Sequence, residues 1–190
     1  MARVPGRRYT QDELDEVFSR ADRQWDAGKL QSAFRLFLVG AKGGDANAQV
    51  NLGIFYDGGI GVKPHRLRAL YWYRRAYRKG NSCAAHNLGN LYHHERKFNQ
   101  ALAWFERAVA LGIGEDNLEI AKIHFQRGNT PEAVRYINKV VQTELWEAPR
   151  ESKREARRML KELAVAPGNY ETNPPRRPPV KLPHSPAIRK

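Results

Sequence analysis

The sequence predicts an all-α fold: an alpha-alpha superhelix, or solenoid, of about four helix-pair repeats, closed by a C-terminal capping helix and followed by a disordered Pro-rich tail. Three observations predict it. Small residues recur in a fixed register, helix start and stop signals recur between them, and the composition changes abruptly near the end of the chain.

The register is the sharpest of the three. Around residues 45–80 the order is Gly53, Ala69, Tyr73, Ala76. Downstream it is Gly89, Ala101, Phe105, Ala108, and then Ala121, Ala133, Ile137, Val140; upstream it is Ala21, Ala33, Phe37, Gly40. After the second small residue the steps are 4 and then 3 in all four units. Residues three, four and seven apart share one face of a helix, so each second helix buries a small, a bulky and another compact residue. The step from first to second small residue is 12 in three units and 16 in the Gly53 unit. The extra four residues fall in Asp57-Gly58-Gly59-Ile60-Gly61-Val62, a glycine turn. A unit with an apolar stripe on both helices cannot bury it alone and needs copies stacked on either side.

Taken in order, residues 1–9 read as disordered. Thr10 and Glu13 form a capping box, so a helix starts at Gln11 and runs to about Ala27, with Gly28 as its stop. Its partner runs from about Leu30 to Lys42 and ends in Gly43-Gly44. Asp45 caps a helix over Ala46 to Tyr56. After the glycine turn, Pro64 takes a first helical position and the helix runs to Lys79, before Gly80. Asn81 or Ser82 caps the next, which ends near His94; Phe98 to Leu111 follows, stopped by Gly112. Glu115 to Arg127 and Pro131 to Thr143 form the last pair, with Gly128 between them and Thr130 as the second cap. From near Arg150 an amphipathic helix carries Ala156, Met159, Leu160 and Leu163 on one face and charges on the other. A solenoid needs such a lid over its last apolar face. The repeat domain is therefore 10–163. In 164–190 lie seven of the eleven prolines, too many for a helix, so this stretch reads as an extended basic tail.

The unit at 45–80 resembles the Sel1-like repeat, a relative of the tetratricopeptide repeat. Ala46, Ala48, Leu52, Gly53, Tyr56, the Gly59/Gly61/Val62 loop, Ala69, Trp72, Tyr73, Ala76 and Gly80 carry the resemblance. The next unit keeps Asn87-Leu88-Gly89, Tyr92, Ala101, Trp104, Phe105, Ala108 and Gly112 but lacks the loop, and looks more like a plain tetratricopeptide repeat. The outer units match less closely: Arg20 and Gln24 stand where the inner units have Leu and Tyr. The resemblance implies a right-handed stack of antiparallel helix pairs that binds other proteins, and it implies no catalytic residues.

Composition narrows the partners. The formal net charge is +13, and residues 45–80 hold seven basic residues against two acidic ones. Such a balance fits an acidic protein, a nucleic acid or an anionic membrane. Cys83, the single cysteine, excludes an internal disulfide framework and suits a reducing compartment. No apolar run approaches membrane-spanning length, and the basic N-terminus lacks the apolar segment of a secretory signal. A cytoplasmic location is the resulting expectation, and the heavy use of Arg and Ala points to a bacterial source.

Two surfaces are candidates for binding. In stacks of the resembling kind the first helix of each pair lines a concave groove. Its outward positions are Asn47, Asn51, Ile54 and Asp57, then His86, Asn87, Asn90 and His93, then Leu118, Glu119, Lys122 and Phe125. Asn offers a donor and an acceptor that match a peptide backbone, so Asn51 and its equivalent Asn87 read as rungs for an extended segment. Equally, Asn before Leu-Gly is usual in this repeat type. The second surface is basic: Arg68, Tyr71, Arg75 and Arg78 share a helix face, with Arg74 beside them. Interleaved Arg and Tyr suit phosphates and bases or an acidic protein, while a solvated face is the plainer alternative. His86, His93 and His94 lack the third ligand a metal needs, Cys83 reads as a small packed residue, and no phosphate-binding loop or catalytic acid pair occurs. No cofactor and no metal are expected. The reading is a non-enzymatic adaptor that binds an acidic protein or peptide. Its alternatives are a bacterial immunity or inhibitor protein that neutralises a toxin, and a nucleic-acid-associated protein that uses helix 64–79 and the tail.

Overall fold

The computed structural model describes residues 9–142 and 149–165. Among these, all regular structure is helical: α1 (Gln11–Asp26), α2 (Leu30–Gly43), α3 (Ala46–Gly58), α4 (Arg66–Tyr77), α5 (Ser82–His94), α6 (Phe98–Ala110), α7 (Asp116–Gln126), α8 (Thr130–Gln142) and α9 (Arg150–Val165). Each helix packs on the next in sequence, and α3 also touches α5. Short connections leave consecutive helices antiparallel, so the chain is a stack of helical hairpins. The expected tail, 164–190, and the first eight residues lie outside the described residues but for Ala164 and Val165.

The local signals act as read. At α1 the Thr10 hydroxyl accepts from the Glu13 amide, and the Glu13 carboxylate accepts from the Thr10 amide. Asp45 and Asn81 cap α3 and α5 by accepting from the amides of Ala48 and Ala84. Gly44 ends α2 at φ +108°, where any side chain would be strained. α3 runs on to Gly58 rather than Tyr56 and α4 ends at Tyr77 rather than Lys79, and two helix starts differ from expectation for a visible reason. Pro64 is outside α4, which starts at Arg66: His65 is the cap, its amide donating to Tyr56 O at 2.8 Å and its ring accepting from the Arg68 amide. Pro64 instead closes the glycine loop, where a Cβ on Gly59 would lie 2.5 Å from its ring. In α8 the first turn closes from the Ala133 amide to Asn129 O, so Asn129 rather than Thr130 takes the cap position, and Thr130 is buried inside the helix.

The predicted register is the packing. An added Cβ on Gly53 would lie 2.5 Å from Tyr73 Cδ1, and one on Gly89 would lie 2.5 Å from Phe105 Cδ1. Glycine is there so that the aromatic ring of the second helix can press onto the backbone of the first. Ala21, Phe37, Ala121 and Ile137 occupy the matching seats and are fully buried. The first unit compensates for Arg20 and Gln24 with other residues. Trp25 meets Phe37 and Phe55 edge-on at centroid distances of 5.8 and 4.7 Å, and Phe18 meets Phe37 at 5.7 Å. A second core cluster under α9 holds Ala156, Met159 and Leu163, and Tyr136 packs against both clusters.

Candidate partner-binding surface

The first-helix positions form a polar ladder more than an open groove. Asn47 accepts from Asn81 at 2.8 Å, which joins α3 to the cap of α5. His86 Nδ1 lies 2.6 Å from Asp116 Oδ1, which joins α5 to α7. Lys122 pairs with Glu119 at 2.9 Å and with Glu155 at 3.2 Å, which joins α7 to α9. Each link thus spans alternate helices. Asn87 donates to Cys83 O within its own helix, and His93 packs on Phe98. Asn51 and Ile54 are half-buried, Ile54 against the core, and Phe125 is 39% exposed. Leu118, expected on the surface, is buried under α8 and α9, because its position turns inward where the second core cluster forms. Cys83, expected to be packed, is exposed near the start of α5.

The His86 site has the look of acid–base machinery but is closed. Nδ1 faces Asp116, which is 1% exposed, and Nε2 faces Asn90 at 2.8 Å. Both ring nitrogens are engaged, so neither is left to take a proton from a bound molecule. The hydrogen bond to Asp116 raises the His86 pKa above its usual value, against the opposing effect of burial. At Lys122, burial pulls the ammonium down, but the bonds to Glu119 and Glu155 prevail and the net shift is upward. Among the described residues no three His, Cys, Asp or Glu side chains cluster to hold a metal, and no helix is long and apolar enough to cross a membrane.

The basic residues of α4 reach different neighbours. Arg68 donates to the Tyr56 hydroxyl at 3.3 Å and stands over that ring. Arg74 donates to the Tyr92 hydroxyl at 3.0 Å, and Arg75 donates to the Tyr71 hydroxyl at 3.1 Å and lies over Trp72. Arg78, the last of the set, is exposed. The sequence reading missed Leu67, 69% exposed and one turn from Tyr71, which is 51% exposed. Leu67, Tyr71, Arg74 and Arg78 follow at steps of 4, 3 and 4, so they share a stripe off the buried face. It also missed Arg66, which pairs with Glu95 at the C-terminal end of α5 and stands over Tyr92. Leu67 was legible in that spacing; the pairing of Arg66, 29 residues from Glu95, was not.

This architecture is that of a helical-repeat solenoid of the tetratricopeptide-like kind. Residues 46–81 and 84–113 match the Sel1 repeat family, so the chain carries Sel1-like repeats over that stretch. A Sel1-like repeat-containing protein of Acanthamoeba polyphaga mimivirus is 30% identical over 86 residues, which is 45% of this chain and 16% of the viral protein. The match therefore spans less than a fifth of that relative's length. The crystal structure of a Sel1 repeat protein from Oxalobacter formigenes superposes with a TM-score of 0.58 at 22% identity, covering 68% of this chain and 59% of that one. A protective antigen of uropathogenic Escherichia coli strains, displaying an SLR fold, superposes with a TM-score of 0.60 at 23% identity over 67% of this chain and 30% of that one. At these identities the structures establish the shared fold.

Proposed function

We propose that the protein is a non-enzymatic interaction module that takes an acidic protein partner on the outward face of α4. The observation that carries this reading is the exposure of Leu67 and Tyr71, at 69% and 51%, in a frame of Arg68, Arg74, Arg75 and Arg78. Tyr, Arg and an apolar neighbour are the anchor types from which protein interfaces draw most of their energy. The tyrosine hydroxyls that hold Arg68, Arg74 and Arg75 fix each guanidinium, and a guanidinium with five N–H groups keeps donors for carboxylates. Ordering those side chains in advance lowers the entropy lost on binding.

The concave reading keeps less material. Asn47, His86, Asn90 and Lys122 already spend polar groups on links within the stack. Asn51, Ile54 and Phe125 are the groove positions still offered to a peptide. Affinity capture from the cells that make the protein separates the two surfaces. A partner retained by wild type and by N51A/F125A, but lost by L67S/Y71S, supports the α4 face. A partner lost by N51A/F125A and retained by L67S/Y71S moves the site to the groove.

A further inference from the structure

We propose that α9 carries a second site, for the phosphodiester backbone of a nucleic acid. Arg150, Lys153, Arg154, Arg157, Arg158 and Lys161 line one open groove along this helix. Their steps of 3, 1, 3, 1 and 3 place all six on one side. At 1.5 Å per residue the row is about 16 Å long. Like charges on adjacent turns repel and weaken a helix, so an anion laid along the row relieves a cost that the free protein carries.

The acids of α9 do little to neutralise this row. Glu155 is shared between Lys122 of α7 and Arg158, and Glu162 also lies beside Arg158. Among the described residues, Arg150, Arg154, Arg157 and Lys161 have no acidic partner. Lys153 is only 6% exposed yet lines the groove.

The lining decides the ligand class. Among the described residues the lining is cationic throughout, with none apolar or aromatic, so they offer none of the anchors on which a protein partner depends. A phosphodiester backbone needs no such anchor. It binds through cations spaced along it, with counterions released to solution. Four of the six are arginines, whose planar fork matches phosphate oxygens. The α4 face is the opposite case, since three of its arginines are held by tyrosines next to an exposed leucine. The two sites share no residue, and either stands if the other fails.

The test is fluorescence anisotropy on the full chain with labelled DNA of about 20 nucleotides, as a duplex and as a single strand, between about 50 and 200 mM NaCl. The variant R150Q/R154Q/R157Q/K161Q is compared with R68Q/R74Q/R75Q/R78Q, which removes the same charge from α4. With about 0.9 of salt slope per phosphate contact on a duplex, the α9 variant lowers the slope of log K against log salt by about 3 to 4 and weakens binding roughly tenfold or more. The α4 variant keeps most of the slope. Stronger binding of the duplex or of the single strand identifies which form supplies the backbone. Equal losses in both variants overturn the proposal, because bulk charge then suffices. So does failure of wild type to bind either DNA at the lowest salt, or tighter binding of sodium polyglutamate than of both DNAs. If circular dichroism shows helix lost in the fourfold variant, R154Q and K161Q decide singly: each lowers the slope by about one, or the proposal fails.

Discussion

Alanine at Gly53 is the direct probe of the packing that makes the repeats stack. The new methyl would sit 2.5 Å from Tyr73 Cδ1 and 3.0 Å from Cζ, where carbon atoms in contact normally stay about 3.5 Å apart or more. Tyr73 is 1% exposed, so its ring has no room to swing away, and the helices must separate by a sizeable fraction of an ångström. Overpacking of this kind costs about 1–3 kcal/mol, and the size of the overlap puts Gly53 at the upper end. Alanine in a helix interior returns about 0.8–1 kcal/mol, which leaves a net loss of about 2 kcal/mol. For a chain of this size that lowers Tm by about 4–8 °C. Thermal and urea unfolding followed by circular dichroism measures both. Tyr73→Leu removes the ring that the methyl meets, so the double variant G53A/Y73L is more stable than the two single losses predict, by about 1–3 kcal/mol. G89A against Phe105 behaves the same way, since the geometry is repeated. A G53A protein that melts at or above wild type, or additive losses in the cycle, refutes the close-approach argument.

Thr10→Ala removes the hydroxyl of the α1 capping box, lowers stability by about 1 kcal/mol, and speeds hydrogen exchange at the Glu13 amide. His86 titrates above its ordinary value of about 6.5, and Asp116→Asn brings it down, both visible by NMR. Because the folded-state pKa is raised, the stabilisation from His86 is fully present below the unfolded pKa and fades as pH rises through the folded one. His86→Gln therefore flattens the fall in Tm between about pH 5 and 8. L67S/Y71S changes folding stability by no more than about 0.5 kcal/mol per site, because both side chains are largely exposed; a larger loss in urea unfolding would make them structural.

The architecture was legible because it is written in local patterns. Caps such as Thr10-Glu13 and Asp45 act within one turn, and the 4-then-3 steps after Ala69, Ala101 and Ala133 report one buried face in each copy. Pro64 misled because proline suits both a first helical turn and a tight loop, and only the tertiary fit against Gly59 decides between them. Leu118 misled because its repeat position turns inward: Val50 at the same register in α3 is also buried, and only His86 in α5 is partly exposed there. The polar links were illegible for another reason. His86 and Asp116 are 30 residues apart, and no spacing rule within one helix announces a bond between alternate helices. The stripes of Leu67–Tyr71 and Arg150–Lys161 lay in plain periodicity. Tyr71 was read as part of a basic face and the charges of α9 as the outer side of a cap, because a helix face that carries no core looks like ordinary surface until the fold shows what surrounds it.

These links bear on where a solenoid of this kind keeps its freedom to bind. Asn47–Asn81, His86–Asp116 and Lys122–Glu155 tie α3 to the cap of α5, α5 to α7 and α7 to α9. Each replaces hydration of a polar side chain by a bond to the next repeat, and so uses groups that would otherwise meet a ligand. The second helices are linked too, Tyr136 of α8 donating to Glu106 of α6 at 3.4 Å and Tyr77 of α4 meeting Trp104 of α6 edge-on, but part of their outward side stays outside these links. Their cores are filled by the small–bulky–small face, and Leu67 and Tyr71 of α4 remain exposed beside it. In α4 the outward side gained leucine, tyrosine and arginine. The terminal helix α9 packs chiefly on α8, and its outward face is a row of cations. The division of labour follows from the stacking: residues that join alternate helices are engaged within the stack, and exposed residues such as Leu67 and Tyr71, which meet no other helix among the described residues, are the ones available for recognition.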